Sequence, residues 1–328
     1  MPKTDLLQER IVYKPFEYQE AADYWLKQQQ AHWLHTEVPM MSDVSDWKQN
    51  LTKTEKNIIG SILKGFAQTE TVVNDYWSGL VTKWFRKPEV IMMATTFGAF
   101  ETIHAEAYSL LNETLGLENF DEFLEDEATM AKIENLTTIR DSFNGEKDVH
   151  EIAKSLAIFS AFTEGVNLFS SFAVLLSFKM RNKLKGVGQI VEWSIRDESL
   201  HSEAGCWLFR TLIEENPKVK TPELEAAINE AALLSLQLEL DFIEKVYELG
   251  DLEGCSKYDL INFIKNRVNT KLGDLGYNPI IGDIDMTAVA NMKWFDALSA
   301  GKQHTDFFAS RVTNYAKGTK DWDAATIF

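Results

Sequence analysis

Two stretches of this sequence repeat the spacing Glu-x-x-His, and each lies in a segment whose apolar residues recur at helical spacing. The first stretch, ETIHAEAY, begins at Glu101, and the second, DESLH, ends at His201. Residues three or four positions apart share one face of a helix. Each Glu-x-x-His pair therefore lies on a stripe that is otherwise apolar and faces the core. An isolated carboxylate on such a stripe is very costly, so these polar groups require partners.

Two further glutamates, Glu70 and Glu164, interrupt apolar stripes on two other predicted helices. No Lys or Arg lies on these stripes to compensate the carboxylate charge, whereas two divalent cations would, with the histidines binding as neutral imidazoles. Glu70 precedes Glu101 by 31 residues and Glu164 precedes Glu198 by 34, so two helix pairs each deliver Glu plus Glu-x-x-His. Di-iron and dimanganese carboxylate bundles have this arrangement. We predict a dinuclear metal cluster with the ligands Glu70, Glu101, His104, Glu164, Glu198 and His201.

The pattern along the chain predicts an all-α fold, a ferritin-like helical bundle with the dimetal site in its core. Only 7 prolines and 17 glycines interrupt the 328 residues, and no β-alternation of any length is present. Helical periodicity and end signals predict helices over 51–77, 88–115, 148–179, 187–215, 222–249 and 256–272. Residues 1–313 are predicted to form a single domain, and residues 314–328 are predicted to form a flexible polar tail.

Charge and composition exclude several classes of function. The formal net charge is −17 and the isoelectric point is near 4.8. Binding to nucleic acid or to a membrane surface needs clustered Lys and Arg, so neither is expected. The two cysteines, Cys206 and Cys255, form no disulfide framework or metal motif. No signal-type segment or run of eighteen apolar residues is present, so we expect a soluble cytoplasmic protein.

On these residues the sequence resembles the small, radical-generating subunit of class I ribonucleotide reductase. The resemblance covers the chain from about Trp33 to Phe328. It rests on the six ligands in order, on Tyr108 seven residues after Glu101, on RDESLH and on the closing segment TDFFASRVTNY. It implies a dimetal cluster that is oxidised by dioxygen or by a reduced oxygen species. A separate large catalytic subunit would use that oxidising equivalent to begin reducing ribonucleotides to deoxyribonucleotides. It also implies a homodimer of this chain.

The resemblance further implies roles in radical transfer. Trp33 matches the family's relay tryptophan, and Asp197 would hydrogen-bond between Trp33 and His104, fixing the imidazole and taking a proton from the indole. Tyr315 matches the tail tyrosine that carries the radical across the subunit interface. The final residues match the tail that docks on the large subunit. Tyr108 matches the tyrosine that some relatives oxidise.

Metal type is indicated by departures from the family's common pattern. Glu70 stands where many members have Asp, and together with Tyr108 it resembles the dimanganese subclass, class Id, which stores its oxidant on the metals. Leu168 and Ser194 stand where many radical-bearing members have Phe and Ile, whereas Phe172 matches. A dimanganese cluster is therefore favoured. A di-iron or manganese–iron pair stays open, because carboxylate and imidazole ligands suit both metals.

Other functions stay open at this point. A dimetal oxygenase of the desaturase or N-oxygenase type would use the same six ligands beside an open substrate cavity. Such an enzyme would not need Trp33, Asp197, Tyr315 or a docking tail. A helical scaffold with structural metal would not react with an oxidant, and the chain is long for a ferritin-like storage bundle.

Overall fold

The computed structural model describes residues 4–117, 122–142, 148–248 and 250–299. Within these ranges the chain forms thirteen α-helices and no strand, which confirms the predicted all-α class. The helices are α1 Gln19–Gln30, α2 Met41–Ser45, α3 Lys53–Asp75, α4 Thr82–Trp84, α5 Pro88–Leu115, α6 Glu127–Ser142, α7 Val149–Ile158, α8 Phe169–Met180, α9 Lys185–Glu215, α10 Pro222–Glu248, α11 Lys257–Asp274, α12 Met286–Asn291 and α13 Lys293–Ser299.

Local sequence signals set the ends of the two helices that carry the first half of the predicted site. At the start of α3, the Thr52 hydroxyl accepts from the Glu55 amide at 3.2 Å, and the Glu55 carboxylate accepts from the Thr52 amide at 2.8 Å. This is the predicted capping box. Pro88 occupies the first turn of α5, and Gly116 ends that helix with φ at 72°. A left-handed residue at this position suits glycine.

The centre of the fold is a bundle of four helical segments. Helix α3 packs along α5, α8 packs along α9, and both α5 and α7 contact α9. Helix α1 covers the outer side of α5, while α10 and α11 cover the other half of the bundle. The buried apolar side chains of these helices form one continuous core. In the described part of the chain, no helix has the length and apolar character needed to cross a membrane.

The helix predicted over 148–179 is wrong as a continuous element. Helix α7 gives way to a π-helical turn over Phe159–Thr163, and α8 begins only at Phe169. The Glu164 amide donates to the Phe159 carbonyl oxygen at 3.0 Å, five residues back rather than four. Such π turns are rare and occur frequently at functional sites. The interruption lies directly before Glu164, so it sets the direction in which this predicted ligand faces.

Gly165 allows the interrupted segment to pack closely. A Cβ atom at this position would lie 2.2 Å from the Ala161 carbonyl oxygen and 2.8 Å from the Cδ atom of Lys271 on α11. From the same helix, the Arg267 guanidinium donates to the Gly165 carbonyl oxygen. Helix α11 therefore holds the turn that follows Glu164, and only glycine fits against it.

The variant Gly165→Ala is expected to lower the free energy of unfolding by about 1–3 kcal/mol, because the added methyl group overpacks a filled space. Denaturant unfolding would measure the change. Gly60→Ala is the matched control, since a Cβ on this α3 residue would meet Leu117 at an ordinary 3.6 Å. Removing that helical glycine should stabilise the chain by about 0.5–1 kcal/mol. Equal stability of Gly165→Ala and the wild type would contradict the close packing.

Candidate metal centre

Six buried side chains converge between α3, α5, α9 and the segment that follows the π turn. None is more than 3% exposed. They form two groups, and within each group the candidate ligand atoms all lie within 4.8 Å of one another. The groups are Glu70, Glu101, His104 and Glu198, and Glu101, Glu164, Glu198 and His201. Glu101 and Glu198 belong to both groups, so these two carboxylates would be shared by a pair of metal ions.

Both histidines face the carboxylates through Nδ1. The Nδ1 atom of His104 lies 3.0 Å from Glu101 Oε2 and 3.1 Å from Glu198 Oε1. The Nδ1 atom of His201 lies 2.7 Å from Glu101 Oε1 without forming a hydrogen bond. Glu101 thus reaches both imidazoles, one with each carboxylate oxygen. The structure brings together all six predicted ligands, and their role in binding metal stays a prediction.

Several buried polar atoms of the site have no hydrogen-bond partner among the residues that the structure describes. They are both carboxylate oxygens of Glu70, Oε1 of Glu101, Oε2 of Glu164, Oε1 of Glu198 and Nδ1 of His201. Buried polar atoms are nearly always paired, so a cluster of unpaired ones needs an explanation. Among the side chains that the structure describes, no Lys or Arg forms an ion pair with these four carboxylates. Two divalent cations would bind the unpaired atoms and compensate the charge, so the residues present fit a dinuclear metal centre.

The pKa values of the four site glutamates also reflect the lack of a Lys or Arg partner among the described side chains. Burial raises the pKa of Glu70 well above its usual range, and the charge of Glu101 adds to the effect. Burial and the charge of Glu198 raise the pKa of Glu164 well above its usual range. Burial also raises the pKa of Glu198, to about 7. Burial would raise the pKa of Glu101 too, but His201 and the other site histidine outweigh it and lower that pKa to about 2. Protons therefore compete with metal for these carboxylates.

Beyond the ligands, Asp197 joins the site to a buried tryptophan. The Oδ2 atom of Asp197 accepts from the Trp33 indole N–H at 2.7 Å and lies 3.2 Å from His104 Nε2. The Trp33 and His104 rings are stacked, with centroids 5.8 Å apart and an interplanar angle of 24°. Trp33 is 2% exposed and Asp197 is fully buried. The structure thus places these residues in one hydrogen-bonded chain, and their part in radical transfer stays a prediction.

His201 has a corresponding partner that the sequence analysis missed. Gln28, fully buried on α1, donates from Nε2 to Asp197 Oδ1 at 3.0 Å, and its Oε1 lies 3.1 Å from His201 Nε2. An amide oxygen only accepts, so His201 carries its proton on Nε2 and turns the Nδ1 lone pair toward the carboxylates. A signal was available, because Gln28 continues the core-facing stripe that Ala21 and Tyr24 begin.

Gln28→Ala is expected to weaken Mn(II) binding by about 10–100-fold, the usual cost of losing an outer hydrogen-bond partner of a metal ligand. The change leaves Asp197 Oδ1 and His201 Nε2 without their partner. Calorimetric titration with Mn(II) would measure the affinity. Gln30→Ala, at an exposed position on the same helix, is the control and should bind as the wild type does. Unchanged affinity in Gln28→Ala would show that the amide does not orient the imidazole.

Two further residues, which the sequence analysis did not assign to the site, also support it. The Trp77 indole N–H donates to Glu164 Oε1 in the buried interior. Gly205 on α9 permits close contact with the π turn, because a Cβ there would lie 2.0 Å from Ser160 Oγ. Trp77 is thus both a core residue and a hydrogen-bond donor to a predicted ligand.

Tyr108 lies next to the site in an apolar pocket. It is fully buried, and its ring centroid is 6.3 Å from that of His104 and 4.9 Å from that of Phe66. Phe172 packs edge-on against Phe66, with ring centroids 5.5 Å apart. In the described part of the chain the Tyr108 hydroxyl interacts with the Ser194 side chain but forms no hydrogen bond to a carboxylate or an imidazole, and burial raises the pKa of Tyr108 well above the usual range. Ser194 donates its hydroxyl hydrogen to a carbonyl of its own helix.

The remaining predicted site residue, Tyr315, lies outside the described residues, as does the predicted tail over 314–328. The roles predicted for them are neither supported nor opposed by the geometry. The domain boundary predicted at residue 313 lies in the same range.

Known proteins resemble this chain over most of its length. The family model described as "Ribonucleotide reductase, small chain" matches residues 10–285. A probable ribonucleoside-diphosphate reductase small subunit of Invertebrate iridescent virus 3 is 36% identical, over 98% of this chain and 89% of the viral protein. Two solved structures share the fold at low identity. The ribonucleotide reductase R2 subunit from Clostridium botulinum has a TM-score of 0.75 at 21% identity, covering 86% of this chain and 88% of that one. Dimanganese(II)-NrdF of Streptococcus sanguinis has a TM-score of 0.75 at 22% identity, covering 87% and 98%.

Proposed function

This chain belongs to the small-chain family of ribonucleotide reductase, and we propose that its six converging side chains hold a dimanganese cluster that itself stores the oxidising equivalent. The chain is the radical-generating small subunit of a ribonucleoside-diphosphate reductase. Its oxidised dimetal cluster supplies the oxidising equivalent that initiates reduction of ribonucleotides to deoxyribonucleotides in the large subunit. Family membership selects this function over the dimetal oxygenase that the ligand spacing alone left open.

The main support for the proposed metal centre is that two carboxylates belong to both groups of candidate ligands. Glu101 and Glu198 each belong to both groups, and every member is buried. These two carboxylates would hold both ions, and the metal pair would supply one-electron chemistry at this position. The unpaired oxygens of Glu70 face the same space and offer the first ion a further carboxylate.

The surroundings of Tyr108 support storage of the oxidant on the metals rather than on the phenol. A phenol loses its proton when it is oxidised at ordinary pH, and a hydrogen-bonded base eases that loss. Among the described residues the Tyr108 hydroxyl forms no hydrogen bond to a carboxylate or an imidazole that could take the proton, and burial raises the pKa of Tyr108. Glu70 at the first ligand position also supports manganese, since this residue together with Tyr108 resembles the dimanganese subclass.

The hydrogen-bonded chain through Asp197 supports a role in moving the oxidising equivalent outward. Oxidation of the Trp33 indole acidifies its N–H, and Asp197 Oδ2 accepts that hydrogen at 2.7 Å. The carboxylate can take the proton as the electron leaves and return it when the indole is reduced. The same Asp197 carboxylate lies 3.2 Å from Nε2 of His104, which is one of the proposed ligands. Trp33 would thus exchange electrons with the centre without building up charge in the interior.

The assembly is proposed on the same basis. The chain would act as a homodimer that pairs with a large catalytic subunit through its C-terminal tail, with Tyr315 carrying the radical across the interface. A cytoplasmic location, expected from the sequence, stays a prediction. Removal of the last fifteen residues should abolish nucleotide reduction while leaving the metal content of the small subunit unchanged.

Low-temperature EPR tests the proposed centre directly. Protein is loaded with Mn(II) or Fe(II), exposed to dioxygen or a superoxide source, and its metal content quantified. We expect a multiline signal from a mixed-valent manganese pair and no phenoxyl signal, and Tyr108→Phe should leave that signal unchanged. A tyrosyl signal that disappears in Tyr108→Phe would contradict storage of the oxidant on the metals. Failure to bind two ions per chain would contradict the centre itself.

A further inference from the structure

A cavity of about 390 Å³ lies between α6, α7, α10 and the π turn. Pockets that bind small molecules have volumes from about 300 Å³ upward, so this one is large enough for a ligand. Its lining includes none of the six candidate metal ligands, but it includes Phe162 and Thr163, the two residues directly before Glu164. A molecule bound in this cavity would therefore contact the segment that sets the direction of Glu164.

Thr163 brings to this cavity a buried hydroxyl without a hydrogen-bond partner in the described part of the chain. The residue is 6% exposed. A helical threonine can donate to a carbonyl oxygen three or four residues back, and Thr69, Thr95 and Thr137 do so here. Thr163 belongs to the π turn and does not. Because buried polar atoms are nearly always paired, this hydroxyl indicates a bound molecule.

A second buried polar group, the amide of Asn167, lines the same cavity. Asn167 is 3% exposed, and its Oδ1 atom accepts from the Ser235 hydroxyl at 2.8 Å. With that oxygen engaged, the amide offers its N–H groups. Lys154, a partly exposed residue of the lining, adds a positive charge, whereas Glu230 is exposed and screened by water. A carboxylate accepts hydrogen bonds and carries negative charge, so it matches these donors.

The remaining wall of the cavity is largely apolar. Its side chains are Ile139, Ile158, Phe162, Ala231 and Leu234. Leu234 is 48% exposed on α10, so part of this apolar surface is in contact with water. An apolar chain placed against the wall would remove that surface from water, which is favourable. The cavity therefore fits an amphipathic molecule that has an apolar body and an acidic head group.

We propose that this cavity binds an amphipathic monocarboxylic acid, with its carboxylate at Thr163 and Asn167, and that the bound acid stabilises the π turn before Glu164. The inference goes beyond the proposed function, since the site lies outside the six ligands and can fill in the metal-free chain. Coupling between two sites is reciprocal. An acid that favours the turn in which Glu164 faces the other ligands therefore tightens metal binding, and metal tightens binding of the acid by the same factor.

Calorimetric titration of the metal-free chain with octanoate tests the site. We expect one molecule to bind per chain, and octan-1-ol to bind about tenfold more weakly, because hydrogen bonds to a charged group are the stronger ones. Thr163→Val keeps the shape of the side chain but removes the hydroxyl, so octanoate should bind roughly tenfold more weakly. Without octanoate, thermal unfolding of this variant should show no loss of stability, since no hydrogen bond within the chain is removed.

Ala231→Leu provides a second variant, which fills the cavity and should abolish octanoate binding. The matched control is Ala226→Leu, the same change at an exposed position of α10 outside the lining, and it should bind octanoate as the wild type does. The site is overturned if the wild type binds no octanoate, or if Thr163→Val and Ala231→Leu both bind it with wild-type affinity. Octan-1-ol that binds as tightly as octanoate would overturn the assignment of a carboxylate.

The coupling is tested by titrating the chain with Mn(II) in the presence and absence of saturating octanoate. We expect octanoate to tighten Mn(II) binding by about fivefold or more, and Ala231→Leu to lose this gain. Acetate at the same concentration controls for complexes of Mn(II) with carboxylate in solution. Equal Mn(II) affinity with octanoate and with acetate would overturn the coupling. A chain that binds octanoate but no metal pair would contradict the proposed function alone, so the two failures are distinguishable.

Discussion

Glu101→Gln is expected to leave the chain folded but unable to hold a metal pair, and nucleotide reduction should fall to the background of the assay. Glu101 is the carboxylate that reaches both imidazoles, and it belongs to both ligand groups. An amide of the same shape cannot supply the charge that each ion needs. Loss of an outer hydrogen-bond partner costs about 10–100-fold in metal affinity, so loss of a shared ligand should exceed about 100-fold.

Metal analysis after gel filtration, together with calorimetric titration, would measure this effect. The matched control is Glu106→Gln, which makes the same chemical change at an exposed position about one turn further along α5. The control should bind two ions per chain with wild-type affinity. Thermal unfolding of the metal-free Glu101→Gln protein should show a folded chain with a lower melting temperature, because the two site histidines lose the carboxylate whose pKa they lower. Wild-type metal affinity in Glu101→Gln would contradict the bridging position assigned to this carboxylate.

Trp33→Phe is expected to abolish turnover while leaving the metal centre normal, whereas Glu101→Gln is expected to lose both. The variant keeps a ring beside His104 but loses the N–H that donates to Asp197, and phenylalanine cannot be oxidised by the centre. Metal content and the EPR signal of the oxidised centre should match the wild type. Turnover with the large subunit should fall to background, because the oxidising equivalent cannot leave the interior. Asp197→Asn should lower turnover less, by about 10–100-fold.

Trp25→Phe is the control for this experiment, since Trp25 is a partly buried tryptophan of α1 that packs against the core. It should retain full turnover. The prediction is contradicted if Trp33→Phe turns over at a wild-type rate. It is also contradicted if the metal content of Trp33→Phe falls in proportion to its activity, since Trp33 would then be a structural residue.

The parts of the fold that the sequence predicted well are those in which local and long-range signals agree. Helix α5 has proline at its start, glycine at its end and an apolar stripe between them. The stripe also shows which side chains face inward, so Glu101 and His104 could be placed before the structure was known. Burial makes this inference strong, because a charged group on an apolar stripe must meet a partner.

The π turn and Gln28 could not be placed in the same way, for different reasons. An apolar run such as 152–178 fits a continuous helix and an interrupted one equally well, because the extra residue at Phe159–Thr163 changes no residue type. The close contact of Gly165 with α11, which accompanies the π turn, is visible only in the structure. Gln28 lies 42 residues before the first predicted ligand, and a single amide on an amphipathic helix is common. Helix α6 and the two short helices after residue 285 depend on packing rather than on strong periodicity.

Helix α1 lies outside the four central helical segments, so the residues that surround the site come from two separate stretches of the sequence. Every predicted ligand lies between α3 and α9, whereas Gln28 and Trp33 come from the chain before α3. Metal binding and the outward connection are therefore supplied by separate stretches of sequence, which meet at Asp197, at the stacked rings of Trp33 and His104, and at Gln28 beside His201. Substitution of Trp33 should alter electron transfer without changing the metal content, whereas substitution of Gln28 should change the metal affinity. In this architecture the residues that bind metal and the residues that connect the site to the surface are encoded in different parts of the chain.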